Sequence, residues 1–198
     1  MDKNILRIFH REIERQCKFA MIAVQDLQEA LQAPDMDRIW YSIQSFLVAA
    51  GNVPKLLWPS SAHIPERAKE LKDSLGVDDS FPLAPRTFRN HFEHFDERLE
   101  DWATSSKRKN FLDSNVGPAG MISGIDPEDY LRNFDTTKNA VTFRGDEYNL
   151  KPMVDAIIEL HGKASIEANK VLGNKEVIGI TSGSTGSPID PAPSEPIR

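Results

Sequence analysis

Residues 3–32 read KNILRIFHREIERQCKFAMIAVQDLQEALQ, and this stretch decides the fold class. Leu6, Phe9, Ile13, Cys17, Ala20, Val24, Leu27 and Leu31 recur at spacings of three and four. That period puts them on one stripe of a single long amphipathic helix. Pro34 stops the helix, because the residue before a proline is pushed away from helical angles.

Working outward, Asp35 is placed to cap a second helix that runs to about Val53. Its apolar set is Met36, Ile39, Trp40, Ile43, Phe46, Leu47 and Ala50, and Pro54 is expected to end or kink it. The short Ala33-Pro34 link makes the two helices an antiparallel hairpin. A shorter helix follows, with Pro65 in its first turn, Ile64, Ala68, Leu71 and Leu75 as its face, and Gly76 as its stop. Residues 77–84 are an acidic loop, and a fourth helix is expected over 85–105. Residues 106–128 read as a loop. Tyr130–Phe134 and Ala140–Arg144 are β-prone runs flanking Asp135-Thr-Thr-Lys-Asn139, a hairpin turn in which Asn139 suits left-handed angles. A last helix spans about 151–172. The expected fold is mainly α: an antiparallel bundle of about five helices with a small β-hairpin, residues 129–146, before the last helix. Residues 1–172 form one domain. Residues 173–198, rich in Gly, Ser, Thr and Pro, read as a disordered tail.

Composition narrows the function. Hydrophobic residues make up 39% and charged residues 27%, as in ordinary globular proteins. The single cysteine, Cys17, excludes a disulfide within the chain and reads as a small buried hydrophobe. The N-terminus lacks an apolar run of the kind a secretory signal needs, and no stretch approaches a membrane span; the expectation is a cytoplasmic protein with no membrane partner. A net charge of −6 leaves no general basic coat for nucleic acid, so any such contact is local. Lys107-Arg108-Lys109 is the one short basic cluster, and it reads as a helix-end complement or a solvated loop rather than a binding site. There is no HExxH, paired CxxC, GxSxG or GxGxxG; Gly183-Ser-Thr-Gly186 lacks the lysine of a phosphate loop. No metal and no cofactor are expected.

Chemistry concentrates in residues 85–105. At about 100° per residue, Phe88, Phe92, Phe95, Leu99 and Trp102 share a narrow arc and form the core seam. Arg89, Asn90 and His94 fall roughly 100–240° away from Phe88, on the outward face. His91 lies at the edge of the seam and reads as a partly buried histidine. Asn90, one turn before His94, can hydrogen-bond its ring, and Arg89 offers a planar cation suited to phosphate.

Arg89-Asn90-His91-Phe92-Glu93-His94 resembles the motif of HEPN-domain proteins: an Arg followed by a polar residue, with a His four to six positions after the Arg. That family's fold is a helical bundle, in agreement with the elements above. The resemblance implies a metal-independent endoribonuclease of toxin or defence type, acting on single-stranded RNA, in which two protomers bring their Arg–His faces into one cleft. His94 would then be the general acid or base, Arg89 would stabilise charge on the phosphate, and Asn90 would position His94. A homodimer through the 85–105 face follows.

A second reading stands beside it. Glu93 and Glu97 share the outward face, where carboxylates repel phosphate and can pair with Arg89. On that reading the chain is a non-catalytic helical interaction module, with Tyr130, Phe134 and Phe143 of the hairpin as contacts for a protein partner.

Overall fold

Asp2 opens the first helix by accepting hydrogen bonds from the backbone N–H groups of Asn4 and Ile5. The computed structural model describes residues 1–61, 63–85, 94–106, 108–118, 120–126 and 129–170. Helix α1 spans Lys3–Gln32, and Asp35 caps α2, Met36–Leu57, through the N–H of Arg38. Two cross-links show the pair to be antiparallel: Asn52 donates to Gln16, and Arg38 pairs with Glu29. The buried side of α1 is His10, Ile13, Cys17, Ala20, Ala23, Leu27 and Ala30, so small residues let α2 approach closely. Pro54 does not end α2; the helix continues one turn, because Val53, Pro54 and Leu57 are all buried and packing offsets the missing backbone bond.

Helix α3, Arg67–Leu75, buries Leu71 and Leu75 and stops at Gly76, whose φ of 59° and ψ of 46° are left-handed. Helix α4 spans Phe95–Ser105 and α5 spans Leu150–Asn169. Asn149 caps α5 through the N–H of Lys151, and α5 packs along α1, where Arg7 Nε donates to the Ala168 carbonyl at 2.8 Å. The chain is therefore mainly α, with five helices among the described residues. None of them is long and apolar enough to cross a membrane.

The expected hairpin is the middle of a larger sheet. Strands β2, Arg132–Asp135, and β3, Ala140–Phe143, pair antiparallel around the expected turn, and Asn139 has φ 52°. Asp135 Oδ1 organises that turn by accepting from the N–H groups of Thr137 and Lys138. Two further strands flank the pair. Strand β1, Asn115–Val116, runs parallel to β2; β4, Asp146–Asn149, runs antiparallel to β3. Arg144 and Gly145, with φ of 50° and 88°, make the tight β3–β4 turn. The order is β1-β2-β3-β4.

The sheet is part of the core rather than an appendage. Phe134 and Val141 join the main cluster with α1, α2 and α5, while Leu131, Phe143 and Trp102 form a second, smaller cluster under α4. Phe134 and Phe143 are each 1% exposed, so they are not available as contacts for a protein partner. Residues 173–198, read from sequence as a tail, lie outside the described residues.

Candidate functional site

The site begins with how α4 is held. Trp102 is buried, donates from Nε1 to the Asp129 carbonyl at 3.1 Å, and packs edge-on against Phe111 with ring centroids 4.9 Å apart. Asp129 is wholly buried, and its Oδ1 accepts from Ser106, the residue after the helix. At the other end, Phe95 stands edge-on to Phe143 at 6.2 Å. Leu99, expected in the seam, is 40% exposed instead; only Phe95 and Trp102 of the described seam residues face the sheet.

Beneath Phe95 lies a charged centre that the sequence reading missed. The Arg132 guanidinium sits 5.4 Å from the Phe95 ring and 5.5 Å from the Trp40 ring. Asp113 takes both ends of its fork, with Nε donating to Oδ1 at 2.8 Å. Burial pushes the Asp113 carboxyl up, but the bonds and charge of Arg132, helped by Ser114, outweigh it and hold the group below the usual carboxylate range. Trp40 is pinned in turn, its Nε1 donating to the Ser114 carbonyl. An arginine in a β-prone run opposite no visible acid carries no sequence signal; its partner is 19 residues away and meets it only through the parallel β1–β2 pairing.

His94 lies immediately before this anchored helix. Its φ of −118° and ψ of 42° are not helical, so the helix begins at Phe95, and Pro85 is likewise outside any helix. The expectation of one continuous helix over 85–105 thus fails at His94, and the wheel angle between Arg89 and His94 loses its basis there. The physical reason is local: the first turn of α4 carries Asp96 and Glu97, which complement a helix start, and Phe95 is held by the sheet. Arg89 and Asn90 lie outside the described residues, as do His91, Phe92 and Glu93.

The His94 side chain is 54% exposed, and its Nδ1 lies 3.5 Å from Glu97 Oε1. The separation is long for a hydrogen bond but suits an ion pair when the ring is protonated. A carboxylate on the Nδ1 side leaves Nε2 facing away from it, available to take or give a proton. Cys17, the other chemically interesting side chain, is buried, and burial pushes its thiol up to about 12, so it is no nucleophile at neutral pH. Among the described residues no group of three His, Cys, Asp or Glu side chains is placed to hold a metal ion. Compared with models of known protein families, with curated proteins and with solved structures, the chain returned no match.

Proposed function

We propose that the chain is a HEPN-like, metal-independent endoribonuclease of toxin or defence type, cleaving single-stranded RNA as a homodimer formed through the 85–105 face. The observation that supports it is the exposed His94 imidazole at the start of an anchored helix, backed by Glu97 at 3.5 Å. In this reading Nε2 of His94 exchanges the proton at the ribose 2′-hydroxyl or the leaving oxygen. Arg89 stabilises charge on the phosphate and Asn90 helps to position the ring. Glu97 takes a positioning role as well: its carboxylate lies on the Nδ1 side of the ring and leaves Nε2 turned toward the substrate.

The test is cleavage of a short single-stranded RNA in EDTA. His94→Ala is expected to lose about 100-fold or more of the activity, the usual scale for removing a general acid or base. An inactive wild type, or an equally active variant, overturns the assignment.

One observation favours the second reading, a non-catalytic interaction module. Asp96, Glu97, Glu100 and Asp101 crowd α4 against a single cation, Arg98, and such a field opposes an approaching phosphate. On that reading His94→Ala leaves the cellular phenotype unchanged.

A further inference from the structure

The outer face of the α1–α2 hairpin is uncharged at its middle. Phe19, Ile22, Tyr41 and Val48 are 49%, 48%, 70% and 49% exposed. A shallow groove of about 530 Å³ runs between the helices here, edged by Gln44 and Asn52, and none of its lining residues is charged. In a chain with 27% charged residues, that depletion is the compositional mark of an interface centre. The exposed positions on α2 include 37, 41, 44 and 48, and those on α1 include 15, 19 and 22, at spacings of three and four. That spacing presents a seam suited to packing another helix pair.

Charge identifies the occupant. Lys55, with the Arg15–Glu12 ion pair beside it, stands at one end of the face, while Asp26 and Asp37, with the Arg38–Glu29 ion pair, stand at the other, so the first end keeps a positive and the second a negative excess. A face with one positive and one negative end is complementary to itself when turned end for end. We propose that a second copy of this chain docks here, hairpin on hairpin and antiparallel, about a two-fold axis near Ile22 and Val48. Phe19 and Tyr41 of each copy then fill the groove of the other, and the Lys55 end of each meets the Asp37 end of its mate. The α2 face is about 33 Å long and the hairpin about 20 Å wide. That approaches the roughly 800 Å² per partner of a standard interface. This contact is separate from the one proposed around 85–105 and does not depend on His94.

The test is the solution mass by light scattering, with affinity from dilution. Tyr41→Glu with Val48→Glu is expected to halve the mass of the wild-type assembly; both side chains are exposed in the single chain, and circular dichroism checks that the fold is kept. Asp37→Lys alone and Lys55→Glu alone are each expected to weaken association about tenfold, while the two together restore it, because the swapped charges face each other across the two-fold. An assembly unchanged by the Tyr41/Val48 pair, a wild type monomeric at high concentration, or a double charge swap that stays as weak as the singles overturns the proposal. RNA cleavage by the same variants separates the two ideas, since the endoribonuclease reading stands or falls on His94→Ala.

Discussion

His10 is the one histidine buried among the described residues, 3% exposed, with its Nε2 2.8 Å from Ser74 Oγ. Ser74 already donates to the Leu71 carbonyl, so the histidine donates to the serine. Burial lowers its pKa below the ordinary value; Glu167 opposes that effect and Lys170 adds to it. The unfolded chain then binds more protons than the folded one below about pH 6.5, so stability is full above that value and is lost as pH falls through the folded pKa. A thermal melt at pH 5.5 is expected to fall below that at pH 7.5, and His10→Gln should reduce the difference. Asp113 adds a lower window: its depressed folded value makes its contribution present above the ordinary carboxylate pKa and lost in stronger acid. Cys17 belongs to this scale too. With its thiol buried and pushed up to about 12, native protein should react with a disulfide reagent only as fast as it unfolds. Rapid stoichiometric labelling without denaturant would contradict the burial.

At the scale of elements, the helices were legible and the sheet only in part. The bounds of α1 and the left-handed Gly76 stop follow from periodicity and a cap, which are properties of nearby residues. The β2–β3 turn was legible for the same reason, down to Asn139 at φ 52°. A β-branched residue there meets its own backbone, so Asn139→Val should cost about 1–2 kcal/mol in a denaturant melt, while Asn139→Gly should be nearly neutral. Strand β4 had a readable signal in Arg144-Gly145, a two-residue hairpin turn that the pattern of apolar residues did not draw attention to. Strand β1 had none: two residues long, it exists because it pairs in parallel with β2. The candidate helix shows the limit most sharply. Its wheel assumed one helix through His94, and the non-helical angles of His94 break the phase on which the outward face was assigned.

At the scale of the whole molecule, the sheet, α2 and α4 meet on Arg132. Its guanidinium lies near Trp40 of α2 and Phe95 of α4, and Asp113 neutralises it beside β1. Removing the cation strands a half-buried carboxylate and takes away the surface on which both rings rest. Arg132→Ala should therefore destabilise by about 2 kcal/mol, less than breaking a fully buried pair from one side because this pair is part-exposed. Arg132→Lys should recover little, because an ammonium cannot bond both oxygens of Asp113 in the same plane. If the α4 anchorage positions His94, the same substitution should also lower any RNA cleavage at temperatures where the protein remains folded.

The amino-acid order by itself determined the long α1 stripe, the α1–α2 hairpin, the helix stops and the central β-turn. Each rests on contacts within a few residues, whose geometry the backbone period dictates. It also singled out Arg89, Asn90 and His94, of which only His94 falls among the described residues. Tertiary structure alone decided that the hairpin is buried in a four-stranded sheet, that Asp113 meets Arg132, and that His94 stands exposed before a helix with Glu97 beside it. The burial and the ion pair depend on residues far apart in sequence, brought together only when apolar faces close on one another. The start of α4 depends on where Phe95 is held against the sheet, which no period in the sequence encodes.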